Sequence, residues 1–368
     1  MVETLPDIAW KQASVGGKIY ILPNVNFEYN ERAELIRGDL REKYGLDKVK
    51  SLDDLEKYLK TIAENEKSME ASGGNIYFQN VWLIEPNGWK GNSWSYKSEE
   101  TTNPMYFHIA FTDEFMDYAK KMRSFYESGI FSPSLINDST TMQDKFANGI
   151  SSLDVENTRT INSRAVDINK KHPEWKVEMV YTNHGKKVVP GNFVGNGFVV
   201  THTSEYATKI MEVVNRIYES AELQKLLNWG FEGVNYEMKG DKIYPISDVP
   251  ADKKFDIGCN WNFYNSVFQD AFAVKEMHEG YAEIKEDLAK NSVSNPLAAF
   301  SFDKEEVVTE VTNMSEVEKS YNALNFGMYE DVEGTVAEYR QALKAAGYDK
   351  VKAEYDRQVK EFMATYNN

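Results

Sequence analysis

Thr112–Arg159 reads TDEFMDYAKKMRSFYESGIFSPSLINDSTTMQDKFANGISSLDVENTR, and its spacing sets out a helix, a turn, a second helix and a strand. Phe115, Tyr118, Ala119, Met122, Phe125 and Tyr126 recur at helical intervals. Thr112 stands where an N-cap hydroxyl would meet free N–H groups, and Gly129 is the stop. After a loop through Ser132 and Pro133, Met142 and Phe146 mark a second helix that ends at Gly149. A strand is predicted at Ser151–Val155, with the polar run Glu156, Asn157, Thr158, Arg159 at its end. Open α/β sheets bind ligands beyond the carboxyl ends of their strands, so this run is a candidate binding edge.

Further segments extend the pattern in both directions. Gly17-Lys18-Ile19-Tyr20-Ile21-Leu22-Pro23 reads as a strand, followed by Ile36-Arg37-Gly38-Asp39-Leu40 and Tyr44-Gly45-Leu46. Ser51 opens a helix with a capping box to Asp54. Gly191 to Val200 carries a glycine-spaced strand, and Ala207, Ile210, Met211, Val214 and Ile217 follow at helical spacing. Then come Trp229-Gly230-Phe231-Glu232-Gly233-Val234-Asn235-Tyr236, Phe302-Asp303, Leu324-Asn325-Phe326-Gly327 and Ala346-Gly347-Tyr348-Asp349. Strand candidates at Ile19–Leu22, Ser151–Val155, Trp175–Tyr181 and Phe198–Thr201 alternate with helices, which predicts an α/β sheet.

Taken in order over nearly the whole chain, these segments resemble the family 1 extracellular solute-binding proteins, in particular a lipoprotein subgroup serving carbohydrate ABC transporters. The resemblance implies an α/β, two-lobed periplasmic-binding-protein-like fold of type II with a helical C-terminal region. It assigns residues 1–28 and 193–290 to an incomplete first lobe, 29–192 to a complete second lobe, and 291–368 to a helical C-terminal domain. The opening of the first lobe, about a hundred residues by ordinary domain size, has no counterpart here, so an N-terminal truncation is expected. Function follows as an expectation: an oligosaccharide or similar polar solute held in an interlobe cleft by hinge closure and delivered to an ABC permease in the membrane. The resemblance also implies a monomer outside the cell, anchored as a lipoprotein. Met1-Val2-Glu3-Thr4 shows no basic run, apolar core or lipidation cysteine, so neither signal nor anchor is expected in this chain.

Candidate ligand contacts come from both lines of reasoning. Glu156, Asn157 and Arg159 sit at the strand end; an ion pair in solvent is the alternative for Glu156 and Arg159. Where maltodextrin-binding members present an aromatic platform, this chain has Arg159, which implies a more polar or even anionic ligand. Asn24 and Tyr29 lie in a loop at one crossing between lobes and Asn192 at the return crossing; a plain surface loop is the alternative for the first. Sugars offer apolar C–H faces and dense hydroxyls, so aromatics beside amides and acids are the residues to look for. Trp261 and Asn265 answer to that, as do Glu232, Asn235 and Tyr236. Asn87–Asn103 is rich in Gly, Asn and Ser and predicts a long loop that would present Trp89 and Trp94. For any one aromatic, core packing is the competing role.

Composition narrows the function class. The chain has 368 residues, enough for two lobes with separate cores. Its net charge of −16 would repel a phosphate backbone, so no nucleic-acid partner is expected. Mean hydropathy is −0.56, and no apolar run approaches the ~20 residues of a spanning helix. Cys259 is the one cysteine, read as a small half-buried residue and not a reactive thiol. His108, His172, His184, His202 and His278 are scattered, Gly195-x-Gly197 lacks a third glycine, and no phosphate loop occurs. No metal, organic cofactor or catalytic residue is expected. A hydrolase acting on carbohydrate stays open, because two carboxylates at a fixed separation cannot be read from sequence. So does a structural or sensory remnant without ligand.

Overall fold

The computed structural model describes residues 5, 7–15, 18–23, 29, 31–74, 78–191, 193–195, 197–246, 248–255, 265, 268, 272 and 277–366. The chain divides into two compact units. The first comprises Met1–Tyr29, Pro190–Glu276 and Ala298–Ser301, and the second Asn30–Val189, Met277–Leu297 and Phe302–Asn368. In chain order the first unit opens with α1 (Asp7–Ala13), β1 (Ser14–Val15), β2 (Lys18–Ile19) and β3 (Leu22–Pro23). The second unit then supplies β4 (Arg32–Ile36), α2 (Gly38–Lys43), α3 (Leu52–Asn65), β5 (Trp89–Gly91), β6 (Trp94–Lys97) and β7 (Phe107–His108). It continues with α4 (Asp113–Glu127), α5 (Met142–Ala147), β8 (Leu153–Asn157), α6 (Thr158–Lys171) and β9 (Glu178–Val180). The chain returns to the first unit for β10 (Gly197–Phe198), α7 (Ala207–Glu219), α8 (Ala221–Trp229), β11 (Tyr236–Lys239) and β12 (Lys242–Pro245). Its last helices, α9 (Tyr281–Asn291), α10 (Val308–Ser320), α11 (Val332–Ala345) and α12 (Tyr348–Tyr366), belong to the second unit.

The second unit is built on the sheet β8–β4–β9, in which β4 pairs antiparallel with both neighbours. The helix α6 carries the chain from β8 past β4 to β9, so α/β crossover and antiparallel pairing occur in one small sheet. The register sets Arg32 opposite Asn157 and Glu34 opposite both Val155 and Val180. The strand β4 has no counterpart among the strands predicted from sequence. A fully buried glutamate at its centre breaks the apolar alternation by which half-buried strands are recognised.

Local signals place the helices as predicted. The Thr112 hydroxyl accepts from Phe115 N at 3.1 Å, and Thr141 and Ser51 cap α5 and α3 in the same way. Gly129 takes φ +76°, a left-handed value that ends α4 without a Cβ penalty. The predicted strands shift or shrink. Ser151–Val155 is observed as Leu153–Asn157, Ile19–Leu22 splits between β2 and β3, and Trp175–Tyr181 shortens to β9 because Pro173–Trp175 is a 3-10 turn. The segment Asn87–Asn103 is not a long loop: β5 and β6 pair within it, and β6 pairs on with β7.

One aromatic-rich core fills the second unit. Leu55, Tyr58, Phe78, Phe115, Phe125 and Phe131 share it with Leu324, Phe326, Val336, Leu343 and Val351 from the last part of the chain. The C-terminal helices therefore bury their apolar faces in the same cluster as residues 36–180, not in a core of their own. The first unit has a smaller cluster of Leu5, Ala9, Leu22, Phe193, Val214 and Tyr218. Buried Gln12 knits its separate stretches together, donating to Ala298 O at 2.9 Å and accepting from Phe193 N at 2.8 Å.

Candidate functional site

The carboxyl end of β8 opens into a cavity of about 630 Å³ within the second unit, inside the size range of small-molecule sites. Asp154, Val155 and Glu156 form the strand-end wall, and Arg164 enters from α6. The loop between α4 and α5 contributes Leu135, Ile136 and the polar run Asp138–Thr141, with Met142 and Gln143 from α5 beside it. Asn322, Asn325 and Phe326 close another side, and Gly73, Gly74 and Gln79 the last. Gln79 begins a π-helical turn, Gln79–Ile84, a backbone form that is rare and concentrates at functional sites. At Gly74 an added Cβ would stand 2.5 Å from the Met142 side chain, so this close approach of loop and helix admits no larger residue without a shift.

Ion pairs brace this wall from behind. Lys145, only 2% exposed, reaches Asp138 at 2.7 Å and Glu70 at 2.8 Å, which ties the cavity loop to the segment after α3. Burial pulls the lysine pKa down, but the hydrogen bonds it donates to Asp138 and Glu70 raise it overall. The Lys145 bond, joined by one from the Thr140 N–H, holds Asp138 well below the usual carboxylate range, at about 2. Arg32 pairs with Glu156 across β4 and β8. Asp154 is 1% exposed; Arg164 Nη1 donates to its Oδ2 at 2.7 Å, while Oδ1 has no hydrogen-bond partner among the described residues. Desolvation raises the Asp154 pKa, and Arg164 offsets part of that rise. The wall thus combines fixed acceptors, amides and hydroxyls with the apolar sides of Ile136, Met142 and Phe326. It can hydrogen-bond a polyhydroxylated ring at its edges and cover its C–H face. Among the described residues no group of three or more His, Cys, Asp or Glu is arranged to hold a metal ion.

Of the residues singled out from sequence, Glu156 lines this cavity. Asn157 spends its side chain as the N-cap of α6, accepting from Thr160 N at 2.9 Å. Arg159 lies half-buried in the first turn of α6 and is not part of the lining. Trp89 is a core residue, 5% exposed and edge-on to Phe107 at 4.9 Å, because strand pairing turns it inward. Trp94 stacks between Tyr355 at 4.5 Å and Tyr348 at 5.7 Å. In the first unit Asn235 closes its own turn, accepting from Phe231 N and donating to Lys253 O, while Tyr236 is buried at the start of β11. Asn265 is buried and donates to Tyr218 O at 2.9 Å. Glu232 is exposed and Tyr29 half-buried. Asn24, Asn192, Trp261 and Cys259 lie outside the described residues, and with Trp261 the expected cleft it would share with Arg159. Sequence reasoning missed Asp154, Arg164, Asn322 and Asn325. The one local signal for this wall was the Gly73-Gly74 pair following α3.

The chain has the fold of the solute-binding proteins of ABC transporters. It aligns with the solute-binding protein NgtS of Streptococcus pneumoniae, described as an N-glycan transport protein, at a TM-score of 0.75 and 20% identity, covering 99% of this chain and 80% of that one. The alginate-binding protein AlgQ2 aligns at a TM-score of 0.63 and 16% identity, with coverage of 98% and 77%. In sequence the chain is 24% identical over 370 residues to a carbohydrate ABC transporter substrate-binding protein of S. pneumoniae serotype 4, covering 96% of this chain and 71% of that protein. Residues 296–364 match the family described as a domain of unknown function, DUF3502. Of these, NgtS is named a solute-binding protein of N-glycan transport and the serotype 4 relative a substrate-binding protein of a carbohydrate ABC transporter, in line with the resemblance carried by the order of sequence motifs.

Proposed function

We propose that this protein is the substrate-binding component of an ABC importer and that it captures an oligosaccharide. The observation that carries this reading is the cavity at the carboxyl end of β8, where acids, amides and hydroxyls converge on a surface that also offers apolar area. Its support from relatives is that the NgtS structures include complexes with Man1GlcNAc and Man5GlcNAc. Carbohydrate recognition needs this mixture: directional partners for many hydroxyls, and a face for the ring itself. Glu156 and the residues around Asp154 are the contacts we assign to this chain; hinge closure over the ligand, as the resemblance implies, completes the mode of capture.

The protein binds and hands over its ligand without breaking a bond, acts as a monomer with a membrane permease as its partner, and works outside the cell, where members of the family it resembles are held by a lipid anchor. No helix among the described residues is long and apolar enough to cross a membrane, which accords with delivery by a separate permease. Isothermal titration against a panel of oligosaccharides tests the reading. Saturable binding of a glycan recovered intact, confirmed by mass spectrometry, is the expected result. A panel without any binder, or the appearance of hydrolysis products, would overturn it.

A further inference from the structure

We propose that the cavity of the second unit selects neutral saccharides over carboxylated ones, with the lining acids Asp138 and Glu156 setting the choice. This rests on the reading of the cavity as a saccharide site. Three carboxylates, from Asp138, Asp154 and Glu156, stand in its lining, against one guanidinium, that of Arg164. Each cation in or behind this wall already holds a carboxylate of the protein: Arg164 holds Asp154, Lys145 holds Asp138 and Glu70, and Arg32 holds Glu156. A uronate entering the cavity would meet acids at close range and would have to displace one of them from its partner to gain a counter-charge. In a partly desolvated wall, like charge of this kind weighs more than it would in water.

Asp154 is shut away by burial at 1% exposed, whereas the Asp138 and Glu156 side chains are 27% and 18% exposed, so these two acids are the ones a ligand meets. A sugar hydroxyl can donate an O–H to them; an ionised sugar carboxylate has no proton to give. This reverses the anionic preference implied by Arg159, which is not part of this wall.

The test pairs neutral trisaccharides of mannose, glucose and galactose with their C6-carboxylated counterparts, titrated calorimetrically into the full chain at low ionic strength. For whichever pair binds, the neutral member is expected to bind at least tenfold more tightly. Glu156→Gln removes a charge from the lining and should narrow the ratio between the members by strengthening the carboxylated one. Gln143→Arg, at an exposed position of the lining, adds a cation to the wall and should narrow the ratio by strengthening the carboxylated member, whether or not Glu156→Gln folds. A carboxylated member that binds as tightly as its neutral partner, or a ratio unmoved by Gln143→Arg, overturns the selection while leaving the saccharide reading standing. If no member of any pair binds, the saccharide reading falls and the selection with it.

Discussion

The two units differ most in what their helices do with apolar residues. In the second unit α4 places Phe115, Tyr118, Ala119, Met122 and Phe125 wholly inside a cluster that spans helices from both ends of the chain. In the first unit α7 has an equally clear helical pattern, yet it buries Val214 and Tyr218 and leaves Ile210, Met211 and Val213 exposed. Periodicity states which residues favour burial; whether they find a partner depends on segments far away in sequence. The unit that holds the cavity is the one whose wall is backed by a large, cross-braced core.

The sharpest way to break this comparison is to remove a core aromatic. Phe125 is fully buried, with Trp82 at 5.2 Å and Phe131 at 5.8 Å. Phe125→Ala should destabilise the second unit by about 3–5 kcal/mol. Hydrogen exchange is expected to show loss of protection in α4 and α11 with α7 unchanged. Equal loss in α7 would mean that the units unfold as one and that the contrast is superficial.

A pH experiment isolates the second unit's buried acids. Burial pushes Glu34 up to about 8 from an ordinary 4.5, despite the hydrogen bond from Thr182 at 2.9 Å, and burial beside Glu31 likewise raises Glu85. A raised carboxylate pKa means that the folded chain keeps a proton the unfolded chain has released. Its contribution is therefore most favourable below about 4.5, is lost as pH rises toward 8, and stays constant beyond. The loss for Glu34 is of the order of a few kcal/mol at most. Glu34→Gln should match the parent near pH 4 and exceed it in denaturant midpoint near pH 8.5. A variant whose midpoint tracks the parent across that range would show that Glu34 is not the titrating group.

Smaller effects sharpen the contrast within the first unit. Val214→Ala should cost about 1–2 kcal/mol, because it empties part of a small core. Ile210→Ala, at a position 38% exposed, should cost less than about 0.5 kcal/mol. Comparable melting shifts for the pair would show that the outer face of α7 is covered in solution. At the small end, Thr112→Ala removes the cap of α4 and should lower stability by about 1 kcal/mol, read as a parallel shift of the urea transition without change in slope.

Much of the candidate site was illegible for a physical reason. Asn157, Asn235 and Asn265 looked like ligand contacts because an amide side chain offers donor and acceptor together; for the same reason each serves the backbone, as a cap, a turn closure and a buried tie. Trp89 and Trp94 looked accessible because their neighbours are Gly, Asn and Ser. Pairing of β5, β6 and β7 turned that polar stretch into a sheet whose tryptophans pack against Phe107, Tyr348 and Tyr355. Only Glu156 was reached by a rule that survives folding, the tendency of ligands to gather at strand ends.

What the sequence determined by itself is what short-range forces determine. Hydroxyl caps at Ser51, Thr112 and Thr141, the left-handed stop at Gly129, the helical stripes of α4 and α7 and the α/β order all depend on residues within a few turns of one another. The tertiary structure alone decided that Arg32 would meet Glu156, that Lys145 would sit between Glu70 and Asp138, and that Asp154 and Arg164 would share a wall with Asn322 and Asn325. Those partners are brought together by burial of a common core, an interaction without direction, so nothing in the local pattern of either segment names the other.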